Sequence, residues 1–171
     1  MTSASTRTTS QATTSTPENF QLHTSTDLLI DYLKQLSVEY VFGIPGGAIE
    51  PLYNSLSKSE QRNGPKAIVS RHETSAAFMA SGYHLLTGKL GVCCATTGPG
   101  ATNLITGIAC AAANNTPLLA ITAQTALNTF GKSAFQESSC TGINTIGMFE
   151  HCTKYNTLVS HIDQFEQKLA T

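Results

Sequence analysis

A glutamate follows a short apolar strand and begins a helix of small residues. The predicted strand ends at Ser70, and Glu73 follows it after two residues, in the sequence Arg71-His72-Glu73. Catalytic side chains of open α/β sheets occupy this position, at the carboxyl ends of the strands. Glu73 is therefore a candidate catalytic carboxylate. The alternative interpretation is structural, because a carboxylate in the first turn of a helix stabilises the helix dipole. His72 is interpreted as a histidine hydrogen-bonded at the strand end rather than as an acid–base group.

Two glycine-rich loops also connect a predicted strand to a helix. Gly43-Ile44-Pro45-Gly46-Gly47 follows the first strand, and Gly98-Pro99-Gly100 follows the third. Glycine lets a ligand approach the backbone closely, and such a loop at a helix start can bind phosphate. Neither loop has the Walker or the dinucleotide-binding spacing, so each alone is compatible with an ordinary turn. Parallel strands would bring both loops and Glu73 to one edge of the sheet, which predicts a single site.

Strands and helices alternate along the chain. The strands are continuous apolar runs, which is typical of a sheet covered on both faces. We therefore predict an α/β fold, with a parallel sheet and helices on both faces. The predicted strands span residues 40–44, 67–70, 90–96 and 117–123, with a fifth at 154–159. The predicted helices span residues 48–57, 73–86, 101–113 and 161–170, after a first helix capped by Ser25 or Thr26.

Residues 1–22 are predicted to be a disordered tail, and residues 23–171 a single domain. The tail is mostly Ser and Thr, and such a segment buries too little apolar surface to offset the entropy of ordering it. The five cysteines include no Cys-x-x-Cys pair, which favours reduced, buried thiols and a cytoplasmic location. An organellar transit peptide is the alternative interpretation of residues 1–17, because they lack acidic side chains.

Composition excludes several classes of protein. The net charge of the 171-residue chain is −1, so bulk charge attracts neither nucleic acid nor a membrane surface. No apolar run is long enough to span a membrane, and no Cys or His spacing resembles a zinc site. Only 12% of the residues are charged, and such a composition favours a buried interface with a partner.

Taken together, the motifs resemble those of the thiamine-diphosphate enzymes. The similarity is to their N-terminal pyrimidine-binding domain, above all that of the acetolactate synthases, and it covers residues 24–171. The matching segments are residues 41–49, Arg71-His72-Glu73, residues 97–107 and Ala134-Phe135-Gln136-Glu137. Each motif alone is weak, whereas their joint occurrence in this order is specific.

The resemblance implies roles for the matched residues. Glu73 is expected to hydrogen-bond a ring nitrogen of the aminopyrimidine and thereby activate thiamine diphosphate. Phe135 and Gln136 are expected to lie near the substrate, and no residue of this chain is expected to ligate a metal. Two groups are expected to bind the pyrimidine ring: Ile44, Pro45 and Gly46 on one side, and Pro99 and Asn103 on the other.

The diphosphate-binding half of such a site is expected on another subunit or domain. In the family that half carries a Gly-Asp-Gly motif and a downstream Asn, which hold Mg²⁺ and the diphosphate, and this sequence contains no Gly-Asp-Gly. The sequence also stops before the strand that usually completes the domain, so a fold truncated before its final strand is expected. The resemblance further implies a homo-oligomer, with no nucleic-acid or membrane partner.

Two functions are compatible with these features. The first is the N-terminal domain of an acetolactate-synthase-like enzyme, which decarboxylates and joins 2-keto acids in branched-chain amino-acid biosynthesis and is inactive alone. The second is a truncated, non-catalytic relic, or an interaction or regulatory protein built on the same domain. Gly131-Lys132-Ser133 stands where the synthases usually carry Gly-Thr-Asp, so related carboligases and decarboxylases stay as alternatives. An unrelated nucleotide-binding domain is disfavoured by the missing phosphate motifs.

Overall fold

Four parallel strands form the sheet, in the spatial order β2-β1-β3-β4. The computed structural model describes residues 23–171, so the tail predicted at residues 1–22 lies outside the described residues. The strands are β1 (Tyr40–Gly43), β2 (Lys66–Val69), β3 (Gly91–Ala95) and β4 (Leu118–Thr122). The helices are α1 (Ser25–Gln35), α2 (Glu50–Glu60), α3 (Glu73–Thr87), α4 (Pro99–Ala113), α5 (Thr145–Glu150) and α6 (Phe165–Ala170). The predicted α/β fold is confirmed.

Each face of the sheet packs against its own helices. Side chains of α1, α2 and α6 form one apolar core, which includes Val41 and Cys94. Side chains of α3, α4 and α5 form the other, which includes Phe42 and Cys93. Adjacent strand residues point to opposite faces, so the two neighbouring cysteines enter different cores. None of the described helices is long and apolar enough to cross a membrane.

All five cysteines are free thiols. Burial raises the pKa of the Cys94 thiol to about 11, even though a hydrogen bond with Tyr53 acts in the opposite direction. Cys94 is therefore an uncharged core residue at neutral pH. The expectation of buried thiols is wrong for Cys110 and Cys140, which are exposed.

Local side-chain chemistry sets the helix ends. Thr24, not Ser25 or Thr26, caps α1: its hydroxyl accepts a hydrogen bond from the Asp27 N–H at 3.2 Å. The Asp27 carboxylate accepts one from the Thr24 N–H at 3.0 Å in return, which completes a capping box. Helix α3 ends where predicted, at Gly88, whose positive φ of 70° suits glycine.

The region after β4 departs most from the sequence-based expectation. The predicted fifth strand at residues 154–159 is wrong, since no strand is assigned there. The Leu158 carbonyl accepts a hydrogen bond from Lys168 Nζ of α6 at 2.5 Å, so a helix side chain holds this segment. Helix α5 was not predicted, and a 3₁₀ turn at Ile162–Gln164 precedes α6. Helix α2 begins at Glu50, two residues later than expected, and α4 begins at Pro99, two residues earlier than expected. Each has a proline, Pro51 or Pro99, in its first two positions, where proline is favoured.

Helices α3 and α4 approach closely at Gly107. A Cβ atom at this position would lie 2.5 Å from Ala77 Cβ and 3.2 Å from the Thr74 carbonyl oxygen. Neither neighbour is the far end of a flexible side chain, so a larger residue would force the helices apart. The close contact fixes α3, which begins at Glu73, relative to α4, which carries Asn103.

We expect Gly107→Ala to be less stable than Gly82→Ala by about 1–3 kcal/mol, the usual cost of overpacking. Both substitutions raise helix propensity by the same amount, but a Cβ at Gly82 would meet nothing within 4 Å. Urea unfolding of the two variants, read as the free energy of unfolding, isolates the packing term. Equal stability would show that α3 and α4 separate without cost.

Candidate functional site

The two glycine-rich loops and Glu73 meet at the carboxyl edge of the sheet, as predicted. Gly43, at the end of β1, pairs with Val69 and Cys94 at the ends of its neighbours. A Cβ atom at Gly46 would lie 2.9 Å from Thr96 Cβ, and one at Gly100 would lie 2.8 Å from Thr96 Cγ2. Glycines of two different loops therefore pack against one threonine, which brings the two loops together.

The carboxylate of Glu73 is held at one oxygen only. Glu73 is the first residue of α3 and is 9% exposed. Asn103 Nδ2 donates a hydrogen bond to Glu73 Oε2 at 3.0 Å. A Cβ atom at Gly100 would lie 3.6 Å from Oε1, and no donor within residues 23–171 is hydrogen-bonded to that oxygen. Oε1 is thus free to accept a hydrogen bond from a ligand.

Neighbouring side chains fix the start of α3. His72 caps the helix, because its Nδ1 accepts a hydrogen bond from the Thr74 N–H at 3.2 Å. The Ser70 hydroxyl donates to the His72 carbonyl at 2.9 Å, and the Thr74 hydroxyl donates to the Asn103 carbonyl at 2.6 Å. The interpretation of His72 as a hydrogen-bonded residue at the strand end is confirmed. Glu73 and Asn103 are linked twice, once by side chains and once through Thr74.

The other residues expected to bind the pyrimidine ring lie in the same two loops. Ile44 is half-buried and Pro45 is exposed beside Gly46. Pro99 is exposed at the first position of α4, one turn before Asn103. Their contact with a ring stays a prediction, and their placement at one edge agrees with it.

Gln136 contacts the loop after β3, whereas Phe135 points into solvent. A Cβ atom at Gly98 would lie 2.8 Å from the Gln136 carbonyl oxygen and 2.9 Å from its Cβ. The Thr97 hydroxyl lies 3.0 Å from the same carbonyl, as a hydrogen-bond donor. Phe135 is 86% exposed. The structure therefore brings Gln136 to the edge of the candidate site and leaves Phe135 free for another contact.

Gln124 was given no role by the sequence analysis. Its Oε1 accepts from the Thr125 N–H at 2.9 Å and lies 3.2 Å from the hydroxyls of both Thr97 and Ser138. Gln124 thereby joins the end of β4, the loop after β3 and the segment that carries Gln136. Its signal was a polar residue just after a continuous apolar strand.

This geometry suits a flat ligand with a hydrogen-bond donor or a protonatable ring nitrogen. Oε1 of Glu73 is the group it would meet, since Asn103 already donates to Oε2. Within residues 23–171, no group of three or more His, Cys, Asp or Glu side chains is arranged to hold a metal ion.

Comparisons with known proteins identify the family. The family model described as "Thiamine pyrophosphate enzyme, N-terminal TPP binding domain" matches residues 23–145. The acetolactate synthase isozyme 1 large subunit of Escherichia coli K12 is 41% identical over 161 residues, which are 94% of this chain and 27% of that protein. The acetolactate synthase of Arthrospira platensis is 46% identical over 123 residues, which are 72% of this chain and 21% of that protein.

A third relative is also an acetolactate synthase large subunit. The acetolactate synthase large subunit of Lactococcus lactis is 45% identical over 129 residues, which are 75% of this chain and 21% of that protein. The chain thus spans about a quarter of the length of these curated relatives. On the match to residues 23–145, the chain belongs to the N-terminal, thiamine-diphosphate-binding domain family of thiamine pyrophosphate enzymes, close to the acetolactate synthases.

Proposed function

We propose that this chain forms the pyrimidine-binding side of a thiamine-diphosphate site in an acetolactate-synthase-like enzyme. The observation that carries the proposal is the Glu73 carboxylate. It is buried, Asn103 holds its Oε2, and its Oε1 faces the edge where the glycine loops converge. A carboxyl group positioned in this way can hold a hydrogen bond to a ring nitrogen and pass a proton through it.

The residues present fit the pyrimidine end of the cofactor. Gly46 and Gly100 both pack against Thr96, and Ile44, Pro45, Pro99 and Asn103 flank them in the same two segments of the chain. When bound, thiamine diphosphate supplies the electron sink for breaking and forming bonds beside a keto-acid carbonyl. Glu73 holds the proton, Asn103 orients its carboxyl group, and the loop residues exclude water from the ring.

The diphosphate and Mg²⁺ require a partner in this proposal. Mg²⁺ prefers carboxylates combined with phosphate oxygens. A second subunit or a further domain would supply those ligands beside the diphosphate. We also propose that the complete assembly is a homo-oligomer. The exposed apolar residues Phe78, Met79, Leu85 and Leu86 on α3 support an interface, since large exposed apolar patches mark contact surfaces.

The proposed substrates are 2-keto acids, which the enzyme decarboxylates and joins in branched-chain amino-acid biosynthesis. The names of the relatives support this class, and Phe135 and Gln136 would face the substrate from the segment beside Gly98. The alternative is a non-catalytic relic or an interaction protein built on the same fold. It keeps the fold but does not require a functional Glu73.

A chimera separates the two functions. Residues 23–171 would replace the matching segment of the Escherichia coli isozyme 1 large subunit, which supplies the rest of an enzyme. We expect this chimera to form acetolactate from pyruvate when thiamine diphosphate and Mg²⁺ are added. A folded chimera of the parent's oligomeric size that forms no acetolactate would favour the non-catalytic alternative.

A further inference from the structure

The segment from Gly131 to Glu137, here called the 131–137 loop, has an unusual backbone. Gly131, Ser133 and Gln136 all have positive φ values, of 70°, 58° and 57°. Two of these residues are not glycine, and such residues rarely adopt left-handed conformations. A backbone of this kind persists only where surrounding contacts hold it.

The Glu137 side chain provides one such contact, at Gly131. Its Oε1 accepts a hydrogen bond from the Gly131 N–H at 2.7 Å, across the ends of the loop. The same oxygen accepts one from the Ser139 hydroxyl and lies 3.5 Å from the Thr141 hydroxyl. The bond from Gly131, followed by that from Ser139, lowers the pKa of Glu137. Hydrogen bonds rather than a neighbouring charge account for this shift.

Closing the loop at its base acts on Gln136 together with the Thr97 hydroxyl, which donates to the Gln136 carbonyl at 3.0 Å. Glu137 immediately follows Gln136, and Gln136 packs against Gly98. On the far side, Ser138 is buried and hydrogen-bonded to Thr97 at 2.8 Å. The Thr97 contacts hold the end of the loop beside β3, whereas the beginning of the loop is bonded to the preceding turn, where the Lys132 N–H donates to the Thr129 carbonyl at 3.1 Å. Only the bond from Gly131 to Glu137 joins the beginning to the end among the hydrogen bonds of the described residues.

We propose that Glu137 is a positioning residue that closes the 131–137 loop and thereby holds Gln136 against Gly98. In the context of the proposed function, on which this part rests, Glu137 sets the position of Gln136 and Phe135 relative to the substrate. It does so without contact to cofactor or substrate of its own.

Hydrogen exchange at the Gly131 amide tests the proposal directly. In Glu137→Ala, we expect this amide to exchange about tenfold to a hundredfold faster, because its charged acceptor is gone. In Glu137→Gln, the exchange rate of the Gly131 amide should lie between those of Glu137→Ala and the unmodified chain, since a neutral amide oxygen accepts a weaker hydrogen bond. Glu150→Gln, at an exposed carboxylate of α5, is the control and should leave Gly131 unchanged. Unchanged exchange at Gly131 in Glu137→Ala would overturn the proposal.

Amides of β3 show in the same experiment whether the variant is folded. If Glu137→Ala unfolds, the pH dependence of Gly131 exchange in the unmodified chain tests the proposal instead. Because the pKa of folded Glu137 is lowered, the bond persists at pH values where an ordinary glutamate is protonated and is lost as pH falls through the lowered value. Gly131 protection, corrected for intrinsic rates, should follow this course while β3 stays protected. Protection of Gly131 that does not change over this range would overturn the proposal.

The chimera adds a functional readout. Glu137→Ala is expected to lower kcat/KM for pyruvate about tenfold to a hundredfold, as for misplaced positioning groups, mainly through KM. Exchange of the cofactor proton, which depends on Glu73, should stay within about twofold. A purely structural role would reduce both together. If the unmodified chimera is inactive, the proposed function fails, and Gly131 exchange still decides the role of Glu137.

Discussion

Replacing Glu73 by Gln is expected to reduce acetolactate formation by the chimera about 10²–10⁴-fold, the usual contribution of a general acid–base group. The amide keeps the size of the side chain, and its oxygen can still accept the Asn103 hydrogen bond now made at 3.0 Å. It cannot donate a carboxyl proton. Folding should therefore be nearly intact while turnover falls, which steady-state kinetics and thermal unfolding would measure together.

Glu50→Gln is the matched control. Glu50 is also the first residue of a helix, α2, but it is exposed. A loss of dipole stabilisation would affect both variants alike, whereas a loss of acid–base chemistry would affect only Glu73→Gln. Equal activity in the two variants would return Glu73 to a structural role at the start of α3.

The second large effect is in cofactor affinity. Residues 23–171 alone should bind thiamine diphosphate weakly or not at all in the presence of Mg²⁺, whereas the chimera should bind it tightly. Charge-assisted contacts to the diphosphate and the metal are the strong ones, and the described residues contain no metal-binding group of three or more His, Cys, Asp or Glu. Isothermal titration of the two proteins measures the difference. Submicromolar affinity of the chain alone would contradict the shared site.

The sequence predicted the elements that carry strong local signals. Continuous apolar runs indicated all four strands, because a strand covered on both faces is rich in apolar residues; the edge strand β2 adds the exposed Lys66. Gly88 ended α3 where predicted, since only its backbone suits the left-handed cap. The edge where Gly46, Gly100 and Glu73 meet also followed, because parallel strands place their carboxyl ends together.

The remaining differences came from tertiary contacts. Lys168 Nζ donates a hydrogen bond to the Leu158 carbonyl. No local pattern in residues 154–159 indicates that a helix side chain would bond this segment. The bond from Asn103 to Glu73 joins residues 30 positions apart. Gln124 and Ser138 are likewise far apart in sequence. Such pairings depend on how α3, α4 and the loop after β4 pack, which neither periodicity nor spacing determines.

Exchange of the thiazolium C2 proton of bound thiamine diphosphate, followed by NMR in deuterated buffer, tests most directly whether Glu73 activates the cofactor. It needs no substrate, so it separates activation from keto-acid binding. The chimera with Glu73 and its Glu50→Gln control should exchange this proton fast, and Glu73→Gln should exchange it about 10²–10⁴-fold more slowly at saturating cofactor. Equal exchange rates with Glu73 and with Gln at that position would contradict the account.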